Sequence, residues 1–296
     1  MKKIYRFLRF LVNHPMSGKF GTRALLRFIK WQIKSRILNR PIVHQWLGHS
    51  SFYAERGEHG LTGNIYVGLH EFSDMGFLLH ALRDDDTFID IGANSGSYTI
   101  LASAVVGANS IAVEPVQTTF LRLRKNVNLN LIQEKVKILK LGIAKENGYR
   151  EITKYADSMN HFVNGEMNCE TERVEVRSLD EIAKDSLPSI IKIDVEGWET
   201  EVILGGESTL SCHSLFGIII ELNGNGKRFG FDENELIKIL RIHGFKPFFY
   251  NPEKRSLTLL NYKNSESGNT LFLRNIDEVF KRINSAPYQK FNGFKF

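Results

Sequence analysis

Two short apolar runs that each end in an acid carry the chemistry of this chain. Residues 88–96 read Phe-Ile-Asp-Ile-Gly-Ala-Asn-Ser-Gly, and 18 residues past Gly96 stands Glu114, within Val113-Glu114-Pro115. An acid and a glycine turn after one buried run, with a second acid after the next, is the pattern of a nucleoside lying across the carboxyl edge of a parallel sheet. Glu114 suits a ribose diol, because a carboxylate accepts both hydroxyl hydrogens at roughly 1.5–3 kcal/mol per charge-assisted bond.

The turn itself separates the candidate nucleosides. A dinucleotide brings a pyrophosphate, which calls for G-x-G-x-x-G and a bare helix N-terminus. That frame, begun at Gly92, reads Gly92, Asn94 and Ser97, so two of its three glycines are missing. Asn94 also puts a side chain where the backbone must approach the pyrophosphate. The loop instead offers the Asp90 carboxylate, with Gly92 and Gly96 for close approach. A ribose carrying a zwitterionic amino-acid tail, as in S-adenosylmethionine, fits this better. The expected cofactor-binding set is Asp90, Gly92, Ala93, Asn94, Gly96, Glu114 and Pro115, joined by Asp194. The plainer alternative is a strand-turn-helix with glycines for geometry only.

Candidates for the acceptor side follow from the same logic. Asp194 and Glu196 come after the apolar run 190–193, and Glu221 ends the next. Three acids at one rim could orient hydroxyls, act as a base or hold a divalent cation. No histidine pattern supports a metal, and none is assigned. Asp194 could equally cap the following helix, and Glu196 could complement its N-terminus. His161, in a polar loop, is a further candidate base or sugar contact, or merely exposed. His70 and Glu71 could close over the cofactor or serve as a structural link. Trp198 reads as core.

These residues need a sheet to position them. Apolar runs at 87–91, 110–113, 136–141, 190–194, 216–221, 246–250 and 270–274 read as strands, the last of these closing the series. Helical patterns fall at 97–106, 118–130, 198–204 and 233–243. Two more strands, 150–154 and 173–176, flank the polar loop 157–169. Repeated β-α-β units with apolar strands predict an α/β fold: a Rossmann-like, doubly wound, mostly parallel sheet. Before it, residues 22–38 read as a helix, with Arg23, Arg27, Lys30 and Lys34 on one stripe and Leu25, Phe28, Ile29 and Ile33 on another side. Residues 57–68 read as short strands and turns. The expected divisions are an N-terminal extension over 1–80, a catalytic domain over 81–275 and a tail over 276–296.

Composition excludes several classes. The chain has 296 residues, enough for a full core, and ordinary apolar content. Cys169 and Cys212 are far apart and show no metal spacing, which argues against a disulfide scaffold or a structural zinc site. A reducing cytosol is the expected compartment. No apolar run is long enough to span a bilayer, and Arg6 and Arg9 interrupt the N-terminal one. The net charge of +6 belongs to one segment: residues 1–40 hold 11 Lys and Arg, the first acid is Glu55, and the remainder has 28 basic against 33 acidic residues. Peripheral contact with an anionic membrane at its inner face follows as an expectation. Nucleic acid does not, since no base-stacking motif accompanies the charge.

With these segments in view, the chain resembles the FkbM-type family of class I, S-adenosylmethionine-dependent methyltransferases. The matching stretches are FIDIGANSGSYT (88–99), AVEP (112–115), LRKNVNLN (123–130), IKIDVEG (191–197) with Trp198 and Glu199, and IIEL (219–222). The resemblance covers roughly residues 60–275. It implies a Rossmann-like fold and methyl transfer, usually to oxygen, often on glycans or secondary metabolites. The expected activity is O-methylation of a sugar hydroxyl on a glycan or glycolipid-type acceptor, lipid-linked acceptors included. The competing readings are a nicotinamide-dependent oxidoreductase and a non-catalytic S-adenosylmethionine-binding module.

Overall fold

β-Branched residues with both faces buried build the centre of the molecule. In the computed structural model, which describes residues 2–18, 21–58, 60–154, 160–163, 170–265 and 268–296, eight strands among those residues form one sheet. The chain enters it through α1 (Lys2–Asn13), α2 (Thr22–Leu38), the hairpin β1–β2 (Ile42–Gln45, Ser51–Ala54), α3 (Thr62–Val67) and α4 (Phe72–Ala81). β3 (Thr87–Ile91), α5 (Ser97–Ile100) with a π-helical continuation Leu101–Val106, β4 (Asn109–Val113), α6 (Gln117–Leu129) and β5 (Val136–Leu139) make the first half. A small side sheet follows from β6 (Gly142–Ile143), β7 (Gly148–Thr153) and β8 (Thr171–Arg177). The second half runs α7 (Leu179–Ala183), β9 (Pro188–Ile193), α8 (Glu199–Leu204), α9 (Glu207–Ser211), β10 (Gly217–Glu221), α10 (Glu233–Ile242), β11 (Lys246–Asn251), β12 (Ser256–Leu259) and β13 (Asn269–Leu273). α11 (Ile276–Ser285) and the hairpin β14–β15 (Lys290–Phe291, Phe294–Lys295) end the chain.

The sheet order is β12-β11-β13-β10-β9-β3-β4-β5. β5, β4, β3, β9 and β10 are mutually parallel, and β13 pairs antiparallel with β10. The expected doubly wound, mostly parallel sheet is therefore present. The chain winds outward from β3 to β5 and then returns to β9 on the other side of β3. That reversal puts a topological switch point between β3 and β9, and ligands of such sheets sit beyond the carboxyl ends there.

Alternation along the strands divides the core. Phe88, Ile190 and Ile219 pack with the N-terminal helices, α11 and the terminal hairpin, while Ile89, Ile191, Ile193, Ile218 and Ile220 face the layer containing Leu179, Val202, Leu236 and Leu240. Residues 1–80 thus contribute much of one helical layer: Leu11, Trp31, Trp46, Leu61 and Phe77 are all buried there. The chain's end belongs to the same layer, with Phe296 1% exposed and packed against Phe72. An ion pair of 2.6 Å between Arg282 and Asp86 fastens α11 to the start of β3.

Several sequence expectations shift. Residues 57–68 are not strands and turns alone, because Thr62–Val67 is helical. Strand 136–141 stops at Leu139. Residues 2–13 form a helix despite Arg6 and Arg9, which stay exposed while Leu11 turns inward. The strand at 269–273 is followed by α11 and a hairpin. On α2 the buried positions are Ala24, Trp31 and Ser35, with Arg27 and Phe28 half-buried. Arg27 therefore leaves the expected basic stripe: burial lowers its pKa, and its guanidinium lies 5.5 Å from the Phe291 ring. Of the polar loop expected at 157–169, residues 157–159 and 164–169, Cys169 among them, lie outside the described residues.

Candidate functional site at the switch point

The turn after β3 is shaped by how closely it must pass β9. Gly92 has φ +78°, and a Cβ there would lie 1.8 Å from the Asp194 carbonyl oxygen, so no other residue fits. Gly96, at φ +90°, would drive a Cβ to 2.6 Å from Leu123 on α6. Both glycines thus answer to packing within the chain, and Gly96 does not line the cleft. Asn94 takes the left-handed conformation that Asn tolerates, and its Oδ1 accepts from the Ser95 N–H at 2.7 Å.

Two neighbouring cavities meet at this turn, sharing Gly92, Asn94, Asp194 and Glu196. The first is walled by Val113, Val116, Ile143, Ile152 and Phe162, with Glu114, Pro115 and His161 also on it. Apolar walls with one acid at the rim suit a nucleoside. Glu114 is buried; its Oε2 accepts from the Asn94 N–H and its Oε1 from the Val116 N–H, each at 3.0 Å. Each oxygen keeps a lone pair for one hydroxyl of a diol.

The second cavity, about 280 Å³, gathers Asp90, Ala93, Tyr98, His70, Glu71, Lys192 and Glu221 around the shared residues. Asp90 is buried, and its Oδ2 accepts from the N–H and Oγ1 of Thr99 at 3.1 and 2.6 Å. Half of this carboxylate therefore holds the start of α5. One carboxylate oxygen each from Asp194, Glu196 and Glu221 lies within 4.8 Å of the others, the one such trio among the described residues. A cation could bind there, but a buried one is already in place. Lys192 Nζ sits 2.8 Å from Asp194 Oδ2 and 4.9 Å from the Tyr98 ring. Burial alone would lower the Lys192 pKa, yet Asp194, Glu71 and Asp90 raise it above its ordinary value.

The structural alternatives for these acids now separate. Asp194 pairs with Lys192 and does not cap a helix. Glu196 accepts from Asn225 Nδ2 at 3.0 Å and has φ +54°, a conformation that costs about 1–3 kcal/mol for a side-chain-bearing residue. The acid that holds the turn before α8 is Glu199, which accepts from the Gly197 N–H at 3.0 Å. Trp198 is core, its ring 5.1 Å from Phe162 and 4.9 Å from Phe229. His161 lines the first cavity and not the second, so it stands beside the apolar wall. Lys192 was missed by sequence reasoning, although a lysine between Ile191 and Ile193 in a buried strand is a signal. Its register partner on β3 is Asp90, and alternation puts it on the face of Asp194. Asp74 and Tyr98 were missed as well; the Tyr98 hydroxyl donates to Glu71 at 2.6 Å.

Burial raises the Glu114, Glu199 and Asp74 carboxyls to about 7 and Asp90 to about 6. Each binds its proton more tightly in the folded than in the unfolded chain, so this stabilisation is complete below about pH 4 and is lost as pH rises through about 7. His14, His44 and His80, lowered to about 4 by burial, act oppositely below about 6.5. Raising the pH from about 6.5 to 8 is expected to lower Tm by several degrees, on the order of 1 kcal/mol for each carboxyl near 7. Scanning calorimetry without cofactor checks this, and a rising Tm over that interval would contradict it.

A cleft at the switch point of a doubly wound sheet, apolar on one side and acidic on the other, defines an α/β protein with a candidate ligand site at that edge. The chain belongs to the FkbM methyltransferase domain family, whose model matches residues 90–247, more than half of it. The hexuronic acid methyltransferase AglP of Haloferax volcanii is 29% identical over 165 residues, covering 55% of this chain and 64% of that relative. The chain thus matches less than two thirds of the relative's length. Among solved structures, a precorrin-6Y C5,15-methyltransferase from Geobacter metallireducens is 14% identical with TM-score 0.41, covering 75% of this chain and 91% of its own. An rRNA methylase from Streptococcus thermophilus is 13% identical with TM-score 0.37, covering 67% and 91%. These two likenesses carry no argument about activity.

Proposed function

We propose that this protein transfers a methyl group from S-adenosylmethionine to a hydroxyl of a sugar or glycan acceptor. The observation that carries the reading is the acidic cleft beside Glu114: Asp90, Asp194, Glu196 and Glu221 face it with one buried lysine. Such a cleft favours a cofactor with a cationic centre and an ammonium group, and it would repel a pyrophosphate. Glu114 would hold the ribose hydroxyls, and Val116, Ile143 and Phe162 the base. Asp90, Asp194, Ala93 and Asn94 would hold the amino-acid tail. When bound, S-adenosylmethionine supplies an electrophilic methyl that an acceptor oxygen takes by in-line displacement, the C–S electron pair leaving on sulfur as a neutral thioether.

The chain's own part is positioning and proton removal. A sugar hydroxyl is neutral at pH 7, and a base that accepts its proton as the bond forms adds about 10²–10⁴-fold. Burial, with Asp194 and Glu196 alongside, raises the Glu221 carboxyl well above the usual carboxylate range. A base with its pKa near working pH is the efficient one, so Glu221 takes that role. Asp194, fixed by Lys192, and Glu196, fixed by Asn225, orient the acceptor. The AglP likeness supports a sugar acceptor, hexuronic acids among those to assay. Incubation with methyl-labelled cofactor and a cell-envelope extract is expected to label a carbohydrate-containing fraction with an ether-linked methyl. Label confined to nucleic acid or protein would overturn the acceptor class.

A further inference from the structure

Helix α2 faces outward with the side chains a soluble helix normally hides. Its buried positions, Ala24, Trp31 and Ser35, lie on one side. On the opposite side Leu26, Ile29, Ile33 and Ile37 recur at i, i+3, i+7 and i+11, with exposures of 57%, 45%, 55% and 75%. Tyr5, Leu8 and Val12 form a similar exposed ridge on α1. Ten of the nineteen exposed large apolar side chains among the described residues fall between residues 5 and 43. Such a concentration of exposed apolar side chains on two neighbouring helices marks an interaction site.

The charge around the ridge selects the occupant. Arg23, Lys30 and Lys34 flank it on α2 and are exposed, Arg6 and Arg9 are exposed on α1, and no acid precedes Glu55. A second copy of the chain would bring the same positive face and be repelled. Apolar ridges bordered by Lys and Arg are the composition of helices that lie in the interface of an anionic bilayer. We propose that α1 and α2 form a docking face for an anionic lipid bilayer.

The opposite, inward side of α2 faces the body of the protein. A groove of about 540 Å³ between α1, α2 and α3 is lined by Phe7, Phe28, Trp31, Tyr66 and His70. His70 also lines the second site cavity and an adjoining one of about 430 Å³. This inference does not depend on the acceptor's identity.

Co-sedimentation of the full chain with vesicles tests it. Vesicles of phosphatidylglycerol and phosphatidylcholine in a one-to-three ratio are expected to pellet the protein, with salt weakening the effect, while pure phosphatidylcholine leaves it in solution. The double variant Ile29→Glu/Ile33→Glu should lower partitioning at least tenfold, with its circular dichroism spectrum and Tm unchanged because both positions are exposed. Lys30→Ala and Lys34→Ala should each cost about fivefold. An equal distribution with anionic, neutral and no vesicles would overturn the proposal. So would a dimer, seen by light scattering, that Ile29→Glu/Ile33→Glu splits.

Discussion

Replacing Glu221 with glutamine is expected to reduce methyl transfer by about 10²–10⁴-fold while leaving S-adenosylhomocysteine affinity essentially unchanged. Glu221 ends β10 beside the second cavity, whereas the apolar wall of the first belongs to β4, the turn before α6 and the side sheet with Phe162. Its Oε2 accepts from Asn223 Nδ2 at 2.7 Å, a bond the glutamine carbonyl can keep. The fold around it should therefore persist and only the proton acceptor be lost. The pH profile distinguishes this from a structural effect: the wild-type rate should fall as Glu221 is protonated, and the variant should lose that acid limb. A variant turning over within tenfold of wild type would move the base elsewhere, with Asp194 the next residue to test. Asp194→Asn is the less clean substitution, because it weakens the partner of a buried ammonium 2.8 Å away.

Glu114→Ala is expected to weaken S-adenosylhomocysteine binding about a hundredfold. Two charge-assisted bonds to a ribose diol at roughly 1.5–3 kcal/mol each set that scale, discounted for water entering the gap. The same substitution removes the acceptor for the half-buried Asn94 and the buried Val116 N–H groups. Each unpaired donor costs about 1–3 kcal/mol, so Tm should also fall by several degrees. Calorimetric binding read beside Tm separates the two effects: a lower Tm with unchanged affinity would leave Glu114 only a role in holding the turn.

The central sheet was legible because its strands are short β-branched runs that stop at an acid, and period-2 burial leaves few other solutions. The same runs placed Asp90, Glu114, Asp194 and Glu221 on one edge. Roles within that edge were less legible. Glu196 and Glu199 both stand where a helix begins, and sequence alone does not tell which side chain turns back to the backbone; it is Glu199. Lys192 hid inside the strand it interrupts. Asn126 and Asn130, in the motif LRKNVNLN, prove to tie α6 to β2, accepting from Tyr53 and Ser51 N–H groups at 2.8 Å. Outside the parallel core the pattern weakened. α1 carries Arg6 and Arg9 on its open face, which breaks an apolar run without breaking a helix. α2 shows apolar residues on two sides, so the buried face could not be chosen until Trp31 and Ala24 were seen to pack inward. The terminal Phe291, Phe294 and Phe296 looked like a tail because they pack against residues more than 200 positions earlier.

Parallel calorimetric titrations with S-adenosylhomocysteine and with NADH test the central claim most directly, since the claim is which nucleoside the β3–β9 edge accepts. Micromolar-range binding of S-adenosylhomocysteine, no heat from NADH and a loss of about a hundredfold in Glu114→Ala are the predicted results. Binding of NADH without binding of S-adenosylhomocysteine would contradict the account.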